Sequence, residues 1–234
     1  MKRRLERHFG ARSLRSAAGI AGVTPEILAH ERSRRVNCAP ATFVYPNGRL
    51  LDDAPPIDRR GGLRLAFVAS EFAPWQGLNE LVEAVTSTSG DFALDVVGAL
   101  SETQRRLCAR DTRIVAHGLV NGDQLSAILA GASAGIAALR ADGKGLTQAC
   151  SLKVRDYLAA GVPVVSGHDD VFPGDFPYYR RTGTDIDAIL AAAHEWRSVD
   201  RATVREAARP HIDKVELVRR LHGELVAAFA SADN

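Results

Sequence analysis

Ser151-Leu152-Lys153-Val154-Arg155-Asp156-Tyr157-Leu158-Ala159-Ala160-Gly161-Val162-Pro163-Val164-Val165-Ser166-Gly167 reads as a helix that runs into a glycine and turns at once into a short β-branched strand. Gly161 stands where the residue after a helix C-cap needs positive φ, and Pro163 cannot prolong the helix. Val162, Val164 and Val165 read as a buried strand ending in Ser-Gly. The helix starts beside the glycine loop Gly143-Lys144-Gly145-Leu146, and Asp156 projects a carboxylate from its side. A helix N-terminus beside such a loop attracts an anion, and a nearby carboxylate suits two sugar hydroxyls. The combination points to a nucleotide-diphosphate ligand.

The same alternation extends upstream. Strands are predicted over 63–69, 92–97, 113–116, 134–138 and 162–165. Helices are predicted over 78–86, 101–109, 123–130 and 152–160. Strands separated by helical stretches of this length form right-handed βαβ units, so the fold class is α/β, a Rossmann-like parallel sheet with helices on both faces. Ligands of such sheets lie outside the carboxyl ends of the strands, here the loops 70–77, 98–101, 117–122 and 139–151. Residues after Asp185 are predicted helical, with an interruption at Pro210. The proline-rich connector from Asp52 to Gly62 is the best boundary, dividing the chain into 1–60 and 61–234. Before it come a helix over 2–18, a strand at 19–23, a helix opened by Thr24-Pro25-Glu26 and running to about Arg35, and a strand at 41–45.

Composition narrows the class. The chain has 234 residues, 46% of them hydrophobic, enough for a sizeable core. No apolar run reaches the roughly 20 residues of a spanning helix. The start is basic without the apolar segment of a secretory signal. Cys38, Cys108 and Cys150 lie far apart with no Cys-x-x-Cys spacing, which favours a reducing compartment, the cytoplasm, over a structural zinc site. Residues 1–60 hold twelve Lys and Arg against six Asp and Glu, a net of +6, leaving −4 for the remainder. A solvated helix face accounts for that asymmetry, and peripheral contact with an anionic membrane stays open. A single aromatic, Phe9, interleaves the early arginines, which argues against nucleic acid. The histidines lack metal-ligand spacing and Gly-x-Gly-x-x-Gly is absent, so neither metal nor dinucleotide cofactor is expected. His168-Asp169-Asp170 reads as a polar loop after a strand rather than a cation site.

From about Gly19 onward the chain resembles the C-terminal, donor-binding domain of GT-B glycosyltransferases of the retaining "glycosyl transferases group 1" (family 4) type. Val23-Thr24-Pro25-Glu26-Ile27 and Tyr45-Pro46-Asn47-Gly48 look like the close of the family's N-terminal domain and the passage between its domains. The stretch Phe67 to Leu78 aligns with its Gly-Arg…Lys-Gly phosphate loop. Leu94-Asp95-Val96-Val97-Gly98 and Val115-Ala116-His117-Gly118 match the next strand ends, and Gln148 through Val165 its Glu-x7-Glu region. The resemblance implies a hexosyltransferase that moves a sugar from a nucleotide-sugar donor to an acceptor hydroxyl with retention. The acceptor would be a glycan or lipid-linked glycan, and no cofactor beyond the donor is implied.

Departures from the family pattern are specific. Ser70 and Gln76 stand where the family loop places an arginine and a lysine on the diphosphate. Each lost charge-assisted contact removes about 1.5–3 kcal/mol of interaction. The Glu-x7-Glu pair is here Gln148 and Asp156; the latter reaches about 1.5 Å less than glutamate but can still hold both ribose hydroxyls. Lys144, Lys153 and backbone amides around Leu146 and Leu152 are the remaining phosphate ligands, and Lys153 could instead form an i,i+3 ion pair with Asp156. His117-Gly118 lines the base pocket through backbone groups, or leaves His117 as a surface imidazole at a turn. Only about 55 residues precede the connector, too few for an acceptor domain. The expectation is a remnant N-terminal domain, with a partner subunit or homodimer completing the enzyme. The rival is a catalytically inactive nucleotide-sugar-binding or scaffold domain derived from such an enzyme.

Overall fold

The computed structural model describes residues 17–33, 40–52, 57–58, 61–140 and 147–230. The helix expected over 2–18 falls almost wholly outside them, as do Cys38 and the glycine loop around Lys144.

The main sheet contains β3 (Arg64–Glu71), β4 (Ala93–Ala99), β5 (Ile114–Gly118), β6 (Ala134–Ile136), β7 (Val164–Ser166) and β8 (Tyr179–Arg181), all parallel, in the order β5-β4-β3-β6-β7-β8. The chain moves outward from β3 to β5, then returns to lay β6 against the other side of β3. That is the doubly wound Rossmann order, with its switch point between β3 and β6. Central strands buried on both faces need unbroken apolar runs. Leu65, Ala66 and Phe67 on β3 and Leu94, Asp95 and Val96 on β4 are all buried; Asp95 is the one polar exception.

Helices α2 (Leu78–Ser87), α3 (Glu102–Cys108) and α6 (Ile186–Trp196) belong with one face, whose core includes Leu65, Phe67, Leu81, Val85, Ile189 and Trp196. Helices α4 (Gly122–Gly131), α5 (Leu152–Ala159) and α7 (Arg201–Ile212) cover the other, packing around Ala66, Leu129, Tyr157, Val164 and Val204. Each crossover helix returns the chain to the amino edge of the sheet, which leaves the strand-to-helix loops at the carboxyl edge. Helix starts are fixed by side chains: Ser101 and Asn121 each accept from the amide three residues on, closing capping boxes with Gln104 and Gln124.

The segment that decides the fold behaves as its residues require. Gly161 has φ +69, its amide bonds the Leu158 carbonyl at 3.0 Å, and the Val162 amide bonds the Tyr157 carbonyl at 2.9 Å. This is a Schellman cap. It consumes the Val162 amide, so β7 opens at Val164 rather than at Val162 as the sequence suggests. Two further differences have local causes. Strand β8 is three residues squeezed between Pro177 and Gly183, too short to show a period. The final helical stretch breaks at Asp213, not Pro210: Pro210 sits in the last turn of α7, while Asp213 caps α8 (Lys214–Phe229) by accepting from the Val215 amide at 3.0 Å.

Residues before the connector form a separate βαβ unit. Parallel strands β1 (Gly19–Gly22) and β2 (Ala41–Val44) are joined by α1 (Pro25–Ser33), and Thr24 caps α1 through its Oγ1, which accepts from the Ile27 amide at 3.2 Å. Helix α8 returns to this unit and brings Phe229 to Phe43, ring centroids 6.2 Å apart. Among the described residues no helix is long and apolar enough to cross a membrane.

Candidate functional site

The site is built around the fork at the switch point. β3 and β6 pair only from Leu65–Phe67 against Ala134–Ile136 and diverge toward their carboxyl ends. Tyr157 of α5 fills the fork. Its hydroxyl accepts from the Val68 amide at 2.8 Å and lies 3.1 Å from the carbonyls of both Ala66 and Ile136. The ring lies flat on β6 because residue 135 is glycine; a Cβ there would come within 2.5 Å of the ring. Burial pushes the Tyr157 phenol well above its ordinary range, so it stays a neutral donor and acceptor.

Two other glycines let backbone cross backbone at this edge. A Cβ at Gly98 would lie 1.9 Å from the Ala69 carbonyl oxygen, and one at Gly167 would lie 1.7 Å from that of Leu139. Beside the first crossing, the ends of β3 and β4 surround a hollow of about 400 Å³ lined by Glu71, Phe72, Ala73, Ala99, Leu100, Ser101 and Gln104. A second cavity, about 430 Å³, lies between α4 and α5 and includes Arg49, Leu125, Ser126, Asp156 and Arg205 in its wall.

The residues singled out from sequence take distinct places. Ser70 is exposed at the end of β3, where the register against β4 slips. Gln76 is buried, and its Oε1 accepts from the Ala73 amide at 2.8 Å, so the side chain braces its own loop. His117 is the extra residue of a bulge on β5, and its Nε2 meets Asp95 Oδ1 at 2.7 Å. Arg64 grips the same carboxylate with two bonds of 2.9 and 2.6 Å, which explains how an aspartate can be buried in β4. The His117 side chain thus points along the sheet face, while Gly118 adopts φ +70 and faces open space. Lys144 lies outside the described residues.

Leu152, Lys153 and Asp156 share α5, whose first turn lies at the carboxyl edge because the helix follows β6. Its N-cap, Ser151, makes no side-chain capping bond, and the first turn contains no acid. Leu152 is exposed. Lys153 does not pair with Asp156. Its Nζ is shielded from solvent and has no hydrogen-bond partner among the described residues, with the Phe67 ring 5.7 Å away, and burial lowers its pKa to about 8. Asp156 instead pairs with Arg49. The neighbouring Arg155 is fully buried and held by Asp170 at 2.5 and 2.7 Å, while its Nε donates to the Asn47 carbonyl at 3.1 Å.

The βαβ unit reaches the same rim. The Glu26 carboxylate accepts from the amides of Gln148 at 2.8 Å and Thr147 at 3.0 Å, and these bonds hold it below the usual carboxylate range. In return, Gln148 Oε1 accepts from the Glu26 amide at 3.1 Å. Gln148 and Asp156, paired in the sequence reading, are therefore each engaged by the segment that precedes the connector. Sequence reasoning missed Glu26, Arg49 and Tyr157 as site residues. Tyr157 meets Val68, Arg49 meets Asp156 and Glu26 meets Gln148 across 89, 107 and 122 positions of chain, and no local period signals such contacts. Asp169 and Asp170 are bound to Arg181 and Arg155, and among the described residues no group of three His, Cys, Asp or Glu could hold a metal ion.

No family profile matches the chain, and no curated protein matches its sequence. Solved structures do resemble it. The lipopolysaccharide outer core galactosyltransferase WaaB, in its apo form, superposes with a TM-score of 0.68 at 13% identity, covering 90% of this chain and 62% of its own. HepE from Anabaena, solved with UDP, gives 0.68 at 13% identity over 96% of this chain and 68% of that one. The GtfA/B complex gives 0.62 at 17% identity, covering 95% and 47%. The chain thus spans between about half and two thirds of the length of the structures it matches. At such low identities the likeness concerns architecture, and it agrees with the strand order seen here: the chain has the α/β, Rossmann-like fold found in these GT-B glycosyltransferases.

Proposed function

We propose that the chain is the donor-binding part of a retaining GT-B glycosyltransferase of the group 1, family 4 kind. It would transfer a sugar from a nucleoside-diphosphate sugar to an acceptor hydroxyl. The observation that carries this reading is the fork at the switch point, capped by the first turn of α5 with Asp156 one turn further on. Strand order alone would place a nucleotide there. First-turn amides suit its phosphates, and a half-exposed carboxylate suits its ribose. The likeness to HepE, which has been solved with UDP and with UDP-glucose, supports the same ligand class.

In this reading residues 61–234 bind the donor, and 1–60 are the connector and the remnant of an acceptor domain. Asp156 holds the ribose after exchanging Arg49 for it. Leu152 offers its amide to the diphosphate, with Ser70 and the Gln76 loop alongside. His117 and Gly118 border the base, and Gln148 faces the sugar. Chemistry then rests on placement and on neutralising the leaving diphosphate. The bond from the anomeric carbon to the diphosphate oxygen breaks as the acceptor oxygen bonds the same face, and the acceptor proton departs with the diphosphate. The acceptor half would come from a partner subunit, a second copy or further sequence. The site would work in the cytoplasm, with peripheral membrane contact bringing a lipid-linked acceptor within reach.

Calorimetric titration with UDP, GDP and ADP tests the reading, followed by assay of slow hydrolysis of the matching sugar nucleotide. Binding with hydrolysis is expected. Binding without hydrolysis would leave a nucleotide-sugar-binding domain. Absence of binding near millimolar concentration of all three would refute both.

A further inference from the structure

Lys153 combines two unfavourable arrangements. An ammonium removed from water without a counter-ion is costly to fold around, and a cation in the first turn of a helix opposes the helix dipole. Among the described residues its Nζ has no hydrogen-bond partner and no charged side chain offsets its removal from water. Among the described residues, four acidic groups of this region are already committed. Asp156 is taken by Arg49, Asp170 by Arg155, Asp169 by Arg181 and Glu26 by the amides of Thr147 and Gln148. Arg155, the other cation of the turn, is neutralised by Asp170, so among the described residues Lys153 is left with the unbalanced charge. The contact with the Phe67 ring at 5.7 Å is a weak substitute for an anion.

The loop after β3 supplies no cation for a diphosphate. Ser70 carries no charge, and the Gln76 side chain is folded back onto the Ala73 amide. We propose that Lys153 is the cation that receives the diphosphate of the donor, delivered from the first turn of α5 in place of any cation on the β3 loop. The claim rests on the donor reading above for the identity of the ligand, but the anion site itself stands on the unpartnered ammonium. A diphosphate seated there would take the Lys153 ammonium and the uncapped first-turn amides together.

The test uses the full chain and two probes, inorganic pyrophosphate and UDP, titrated at pH 7 into wild type, Lys153→Met and Lys153→Arg. Lys153→Met should weaken pyrophosphate about 10- to 100-fold, as expected for loss of one charge-assisted contact, while Lys153→Arg keeps part of the affinity. Ligand-free Lys153→Met should also melt higher than wild type, since it removes a buried charge; this shows that the variant folds and separates the binding loss from damage. Pyrophosphate binding within twofold of wild type in Lys153→Met overturns the proposal, as does wild type that binds neither probe at about 10 mM. Nucleotide binding that ignores Lys153 would sink this inference and leave the donor reading standing. Lys153-dependent pyrophosphate binding without any nucleotide binding would do the reverse.

Discussion

Replacing Arg49 by alanine should tighten nucleotide binding, and the structure bounds the gain. Arg49 and Asp156 form an ion pair with side chains 55% and 45% exposed. A pair so open to solvent contributes about 0–1 kcal/mol. Freeing Asp156 from it can therefore improve affinity by no more than about fivefold, at 1.4 kcal/mol per decade. Asp156→Ala acts on the other side of the exchange. It forfeits hydrogen bonds from ribose hydroxyls to a charged acceptor, about 1.5–3 kcal/mol, or roughly 10- to 150-fold. Calorimetry with UDP, or with whichever nucleotide binds, measures both. The advantage of Arg49→Ala should shrink as salt rises, because screening already weakens the pair in wild type. A tenfold loss on Arg49→Ala would mean that the guanidinium itself touches the ligand. An unchanged affinity in Asp156→Ala would place the ribose elsewhere. Either result refutes the exchange.

Three further outcomes follow from buried groups. The folded-state pKa of Lys153 is about 8 against 10.5 for the free side chain, so the folded chain carries the full penalty below pH 8 and sheds it as pH rises toward 10.5. The excess stability of Lys153→Met over wild type, on the order of 3 kcal/mol at pH 7, should therefore vanish by about pH 10.5 in paired urea titrations; a gap that does not change with pH contradicts it. Tyr157→Phe leaves the partly buried Val68 amide without its acceptor and should cost about 1–3 kcal/mol, read as a lower denaturation midpoint at unchanged slope. Asp170→Asn strands Arg155 in the core and should cost about 3–5 kcal/mol, with the double variant Asp170→Asn/Arg155→Met regaining much of the loss in thermal melts; equal melting of single and double variants would show that the pair is not the source.

The sheet was legible because its signals are local. The alternation of β-branched runs with helical stretches, and the glycine at 161, each act within a few residues. The cap at Gly161 shows this well: a positive φ, a proline two positions on and a buried valine leave the chain few alternatives. The site was only half legible for the complementary reason. Asp156 and Lys153 could be placed on one helix from their spacing, but their partners could not. Whether Asp156 meets Lys153, three residues away, or Arg49 depends on how the strap at 45–49 crosses α5, which is a tertiary fact. The fate of Gln76 was likewise invisible: as a residue it could face phosphate, but its reach to the Ala73 amide turns it inward. Pro210 misled because proline ends most helices, yet in a final turn it breaks few bonds.

The pairing of Gly135 with Tyr157 has a consequence for how such a pocket can change. The phenol sets the spacing between two diverging strands from beneath, at a position no ligand would reach. Altering the width of the cleft floor would require simultaneous replacement of a ring and of the bare backbone on which it rests, two steps that are each damaging alone. Selection for new ligands would thus be channelled into the surrounding loops, where single substitutions are tolerated, and the floor would stay the same across chemically different descendants.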